Sequence, residues 1–193
     1  MKQLVTTYSL EMLSRAELRP AAPPALELAV HPVARPSPEL SRFFYTAVGG
    51  DYYWIDRLSW SYGQWLDYLA RPAVETWIGS QAGVPVGYFE LERQAEDTVE
   101  IVYFGLLPQW IGRGLGGALL TAAIERAWQP GARRIWVHTC SLDGPAALAN
   151  YQARGFRQFR EETAEVDLPD SPPGPWPDAR PPLMAASSTT TAP

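Results

Sequence analysis

Residues 109–117 read Gln-Trp-Ile-Gly-Arg-Gly-Leu-Gly-Gly, and a strongly helical run from Leu115 to Trp128 follows without a break. Four of the six positions 112–117 are glycine. Each costs a helix roughly 0.5–1 kcal/mol relative to alanine, so bare backbone at this place needs a reason. The preceding segment Thr98–Leu107 (TVEIVYFGLL) is rich in β-branched and aromatic residues and reads as a strand. The glycines therefore fall between a strand and the first turn of a helix. There the backbone presents unpaired N–H groups and a partial positive charge. Glycine lets a phosphate group approach those amides without meeting a Cβ. A phosphate-bearing ligand is the favoured expectation; the alternative is a turn that only permits close strand–helix packing. The loop is not a P-loop, because no Gly-Lys-Ser/Thr follows, and it lacks the third glycine of the dinucleotide fingerprint at its spacing.

The totals narrow the rest. A chain of 193 residues fits one domain with a proper core. The net charge is −5, Lys2 is the only lysine and no Lys/Arg-rich run exists, so a nucleic-acid partner, which needs a basic face, is not expected. No apolar run approaches the roughly 18–20 residues that cross a bilayer. The start MKQLVTTYSLEML lacks the signal-peptide pattern. A single cysteine, Cys140, excludes an internal disulfide and a Cys-rich zinc site. The expectation is a cytoplasmic protein with no membrane partner and no metal, either a monomer or a homodimer.

Six prolines within 20–38 predict an extended connector, and eight within 169–193 predict a flexible Pro/Ser/Thr-rich tail, leaving one domain over 1–168. Leu4–Leu13 reads as a strand. Ser37 to Leu69 is helical, with breaks near Gly49-Gly50 and Gly63. Glu75–Ser80 and Val86–Glu92 read as a hairpin around Gly83-Val84-Pro85. The helix Leu115–Trp128 is closed by Gln129-Pro130-Gly131. A strand at Arg134–Cys140, a helix at Pro145–Arg154 and a strand at Phe156–Val166 complete the order. Such an alternation implies a mixed α/β sandwich around one sheet.

Three motifs in sequence carry a resemblance. Gln109-x-x-Gly112-x-Gly114 resembles the Q/R-x-x-G-x-G/A loop of the GNAT acyltransferase superfamily, Leu106-Leu107-Pro108 resembles that family's V-x-P strand end, and Tyr151-Gln-Ala-Arg-Gly155-Phe156 resembles its Y-x-x-x-G-F helix end. The resemblance covers roughly residues 40–165. It implies a mostly antiparallel sheet splayed between the family's fourth and fifth strands, with helices on both faces and acetyl-coenzyme A as co-substrate. By the same resemblance the pantetheine arm would lie along Phe104, Gly105, Leu106 and Leu107. The pyrophosphate would rest on the loop from Gln109 through Ile111, Gly112, Arg113, Gly114, Leu115, Gly116 and Gly117. Arg113 reads equally as a phosphate contact or a solvated side chain.

The implied chemistry is acetyl transfer to a primary amine of a small molecule or peptide, by direct attack in a ternary complex. A lysine-like amine is neutral to about one part in a thousand near pH 7.4, a cost of roughly 4 kcal/mol, so a base is required. Glu100, in Glu100-Ile-Val-Tyr-Phe, resembles the glutamate base of histone-acetylating members; Glu90 on the preceding strand is its rival. Tyr151 matches the family's tyrosine that returns a proton to the thiolate. Where many members carry an Asn at the start of that helix this chain has Gly144, so the Asn contact should be absent. His138 and Cys140 share a strand face without a recognisable orienting partner, which disfavours an acyl-cysteine route and leaves His138 as a packed residue or a substrate-side base. Seven aromatics lie within 52–68, with Asp51, Asp56 and Asp67 among them. They read either as helix packing or as an acceptor pocket for a cation or a ring. Two other readings remain: a coenzyme A-binding regulatory module without turnover, and an interaction module.

Overall fold

The computed structural model describes residues 1–129 and 131–174. Pro130 of the expected helix stop and most of the expected flexible tail lie outside the described residues. Seven strands form one sheet: β1 (Lys2–Met12), β2 (Ala29–Pro32), β3 (Val74–Gln81), β4 (Val84–Gln94), β5 (Thr98–Leu106), β6 (Arg134–Cys140) and β7 (Arg157–Asp167), in the order β2-β3-β4-β5-β6-β1-β7. Every neighbouring pair is antiparallel except β5 and β6, which run parallel. The mixed α/β architecture expected from the sequence is present.

Among the described residues four α-helices cover the sheet: α1 (Pro38–Gly49), α2 (Tyr62–Leu69), α3 (Leu115–Ala127) and α4 (Ala147–Ala153). On α3, Leu119, Leu120, Ala123, Ile124 and Ala127 recur at helical spacing and bury fully against Phe89, Leu91 and Ile101. The opposite sheet face packs Tyr88 beneath Phe44 and Val48 of α1. Strand β4 is thus sealed on both sides, and Val86–Leu91 are all buried. The Ser37 hydroxyl caps α1 ahead of Pro38, and a capping box of Ser61 with Gln64 starts α2.

Three expectations shift. Part of the proline-rich connector pairs as β2 on the sheet edge, where Pro32 has no inner ladder bond to lose. The hairpin turn is Ala82-Gly83, both at positive φ (47° and 80°), so Val84-Pro85 belongs to β4; a two-residue turn of this hand matches the strand twist. Gly63 does not break a helix but lies in the first turn of α2, where the capping box compensates. Beyond β7, Gly174 N–H donates to Gly50 O at 3.0 Å, so the chain returns to the end of α1.

One buried charge pair organises the helical face. Arg57 Nη1 lies 2.9 Å from Glu90 Oε1, and Tyr68 donates to the same oxygen at 2.7 Å. The guanidinium sits over the rings of Tyr68, Tyr103, Trp60 and Trp65 at 4.0–5.7 Å. Burial raises the Glu90 pKa, against the pull of Arg57 and Tyr68. Removing one partner strands the other in an apolar surround. Glu90→Leu is therefore expected to cost about 3–5 kcal/mol in urea unfolding, and Arg57→Met with Glu90→Leu to recover most of that loss.

Candidate active site

The site opens where β5 and β6 stop pairing. Their parallel ladder runs from Thr98↔Arg134 to Ile101↔Val137 and ends there. On the other side of β5, Leu91 opposes Ile101 but Glu90 opposes Tyr103, which leaves Val102 as an extra residue. A bulge of this kind bends the strand and increases its twist. It begins at the residue where β6 is lost. Residues 102–106 of β5 and 138–140 of β6 therefore face one another across an open groove. A cavity of about 850 Å³ fills it, lined along one wall by residues 101–106.

At one end stands the glycine loop. Gly112 and Gly114 adopt φ of 79° and 76°, and Gly114 caps α3 with no side chain to satisfy the helix amides. Among the described residues a Cβ at either position would meet nothing within 4 Å, so backbone conformation, not crowding, requires glycine there. Gly117 has a different reason: a Cβ would lie 2.4 Å from Arg154 Nη1 and 3.0 Å from Ala21 Cβ. At Gly116 a Cβ would make only ordinary contacts with the protein, the nearest at 3.7 Å. Arg154, at the end of α4, lines the cavity, and its buried Nε has no hydrogen-bond partner among the described residues. Sequence reasoning missed it: Arg154 stands inside the Y-x-x-x-G-F motif, but nothing local indicates its approach to Gly117.

Midway along the groove, Tyr151 is buried with its ring edge against Phe104 and Phe156. Burial, then the negative charge of Asp143, raises its pKa, so the phenol keeps its proton through neutral pH. Asn150 Nδ2 donates to Gly116 O at 3.4 Å, bracing α4 against the start of α3.

The other end is polar and aromatic. Tyr52, Tyr53, Trp54, Asp56, His138 and Asp143 all line it. Tyr53 is held at φ 59°, a left-handed conformation that costs a non-glycine residue roughly 1–2 kcal/mol. Trp54 Nε1 donates to Asp143 Oδ1 at 3.4 Å, joining the loop after α1 to the turn after β6. Asp143 Oδ2 accepts from the Thr139 hydroxyl and from Cys140 N–H, which fixes that turn. Burial raises the Cys140 thiol pKa and keeps it from being a thiolate.

The expected site residues thus divide. Phe104, Gly105, Leu106, Ile111, Gly112, Gly114, Gly116, Gly117 and Tyr151 line the cavity. Leu107 lies in the core with its N–H bound to Val86 O, and Leu115 is buried beneath the loop. Gln109 is exposed, and Arg113 stacks over Trp110 at 5.1 Å, outside the lining. Glu100 is not in the lining either; its carboxylate lies behind His138 at 3.4 Å. Glu90 is engaged by Arg57 and Tyr68. The seven aromatics divide: Tyr52, Tyr53 and Trp54 border the cavity, Trp60, Trp65 and Tyr68 enclose Arg57, and Tyr62 is exposed on α2. Asp56 faces the cavity, and Asp67 is exposed on α2. Among the described residues no cluster of three or more His, Cys, Asp or Glu is arranged to hold a metal, and no helix is long and apolar enough to cross a membrane.

Residues 38–156 match the model of the acetyltransferase (GNAT) family. Over 73 residues the chain is 38% identical to mycothiol acetyltransferase of Corynebacterium aurimucosum, a match covering 36% of this chain and 24% of that protein. A GCN5-related N-acetyltransferase from Sphaerobacter thermophilus superposes with a TM-score of 0.62 at 15% identity, over 86% of this chain and 54% of that one. One from Kribbella flavida gives 0.61 at 21% identity, over 87% and 60%. An acetyltransferase of Bacillus subtilis in complex with CoA gives 0.51 at 23% identity, over 68% and 77%. The chain thus spans about a quarter of the curated relative and less than two thirds of the two longer structures.

The glycine geometry has a direct consequence for stability. Gly112→Ala and Gly114→Ala are each expected to cost about 1–2 kcal/mol, the price of a left-handed non-glycine residue. Gly116→Ala should be neutral or stabilising by up to ~1 kcal/mol. Equilibrium denaturation of the three variants measures the difference.

Proposed function

Because the chain belongs to the acetyltransferase (GNAT) family, we propose that it moves an acetyl group from acetyl-coenzyme A to a primary amine of a small molecule or peptide. The observation that carries this reading is the parted pair β5 and β6, whose groove leads onto the uncapped amides of α3 beside the orphaned Arg154 Nε. The residues fit such a co-substrate: a free strand edge for an extended amide-bearing arm, then amides and a guanidinium for a diphosphate. Acetyl-coenzyme A supplies the activated thioester. Residues 102–106 offer their free edge to the arm, and Gly112 to Gly117 with Arg154 hold the phosphates. Tyr151 Oη retains its proton and is the donor for the departing sulfur. Proton acceptance falls to Glu100, which reaches the cavity side through His138.

The acceptor end favours an ammonium. Asp56 and Asp143 contribute negative charge there, the aromatic rings of Tyr52, Tyr53 and Trp54 border it, and the guanidinium of Arg57 is already paired with Glu90.

Coenzyme A at 100 times its dissociation constant is expected to raise unfolding stability by about 2.7 kcal/mol. Arg154→Gln should weaken that affinity roughly 10- to 100-fold, the worth of a charged hydrogen bond. In a thiol-release assay over an amine panel, the wild type should turn over and Tyr151→Phe should lose about 10²–10⁴ in kcat. Stabilisation by coenzyme A without release for any amine indicates the regulatory module instead; no stabilisation at all removes the reading.

A further inference from the structure

We propose that His138, held from behind by Glu100, is the side chain that takes the proton from the acceptor amine. This rests on the acetyl-transfer reading and changes which of the two residues meets the substrate.

Only His138 of the pair borders the cavity. The Glu100 side chain is 11% exposed and the His138 side chain 50%. Nδ1 of His138 lies 3.4 Å from Glu100 Oε1. The other Glu100 oxygen accepts from Gln94 Nε2 at 2.7 Å, and Gln94 Oε1 accepts from Trp136 Nε1 at 3.0 Å. This chain of contacts fixes the carboxylate and turns Nδ1–H toward it. Nε2 is left as the nitrogen with a lone pair, the tautomer that a base requires.

Register explains why the residues meet. Glu100 lies opposite Trp136 in the parallel ladder, so His138 projects from the same face two residues on. The ladder ends one pair later, at Ile101↔Val137, and the imidazole stands where the strands begin to part. Glu100 itself is still within the closed part of the sheet. A carboxylate in that position reaches a substrate in the groove only across the ring.

The protons balance. Nε2 takes a proton from the ammonium and passes it to solvent. The free amine attacks, and its N–C bond forms as the C–S bond breaks. The sulfur takes the Tyr151 Oη proton, and the new amide nitrogen loses its second proton, which restores the phenol. Net, one ammonium and one thioester give one amide, one thiol and one proton.

The acidic groups acting on the ring come from several elements: Glu100 on β5, Asp143 in the turn after β6 and Asp56 in the loop after α1, while Cys140, Tyr52 and Tyr53 line the same cavity. Glu100 raises the His138 pKa most, against the effect of burial, with Asp143 and Asp56 adding to it. A base works when neutral, so kcat/KM should rise with pH through the His138 pKa. Glu100→Gln lowers that pKa and keeps Nε2. Its acid limb is therefore expected at lower pH, with kcat reduced but by less than in the variant that lacks the imidazole. His138→Asn keeps a donor for Glu100 but has no base; its kcat should fall roughly 10²–10⁴-fold and the limb should disappear.

Histidine NMR reads the pair without turnover. The chain has only two histidines, and exposed His31 on β2 is the internal control. In Glu100→Gln the His138 midpoint should move down while His31 stays. An unmoved His138 titration overturns the pairing whatever the assay shows. A His138→Asn variant with wild-type kcat and an unchanged limb, beside an inactive Glu100→Gln, makes Glu100 the direct base and overturns the proposal. A wild type that binds coenzyme A yet releases no thiol overturns the acetyl-transfer reading, and the proposal with it, even if the titration shows the pair.

Discussion

The parting of β5 from β6 is the constraint on which the rest of the molecule depends. Backbone amides and carbonyls inside a sheet are ordinarily paired, and leaving them unpaired away from water is costly. Here the extra residue Val102 bends β5 away just as its partner is needed, so a stretch of ladder on both strands is given up. The same bulge re-aims the side chains that follow. Tyr103 and Gly105 turn to the α1 face with Glu90, while Phe104 and Leu106 turn to the α3 face. Gly105 can have no side chain, because a Cβ would lie 2.3 Å from Val48 of α1. One inserted residue thus creates the groove, places Phe104 against Tyr151 and fits α1 over the strand.

A groove at the centre of a sheet is tolerable only if each half is independently held. On the β5 side, β3 and β4 provide that support. On the β6 side it comes from β1, inserted between β6 and β7 from the far end of the sequence. Leu10 and Met12 of β1 are fully buried beside Ile135 and Val137. The segment that follows β1 stays close: Arg19 N–H donates to Arg154 O, and Ala21 N–H to the Thr121 hydroxyl. The matched family region begins at residue 38, yet the first 22 residues brace the strand that carries His138 and the helix end that carries Arg154.

The local parts of this design were legible in the sequence. Strands β5 and β6, helix α3 and the glycine loop follow from β-branched runs, helical periodicity and left-handed glycine positions, all properties of a few adjacent residues. The bulge was not legible, because Val102 is an ordinary strand residue and only its partner on β4 reveals the extra count. Glu100 as a residue of interest came from its resemblance to a family segment. Its position behind His138 follows from the pairing of two strands more than 30 residues apart, which no window on the sequence contains. Arg57 escaped attention for a similar reason. It lies among the aromatics that suggested a cation site, and the cation they hold is its own guanidinium, set there by Glu90 on a neighbouring strand.

That internal cation bears on the sign of the proposed acceptor end. Had Arg57 been unpaired, its charge beneath Tyr103 would oppose an approaching ammonium. Paired with Glu90, it leaves Asp56 and Asp143 to set the field at the cavity wall. The arrangement carries an inherent opposition. In the proposed reaction the acids that would attract a protonated amine also favour the protonated imidazole, whose pKa they raise, and a protonated imidazole is no base. Under that proposal, catalysis would be strongest where the ring has lost its proton but the amine still arrives as a cation. That window lies between the His138 pKa and the ordinary amine pKa of about 10.4. Glu100 sets its lower edge through the ring it faces, and the acceptor itself sets the upper one.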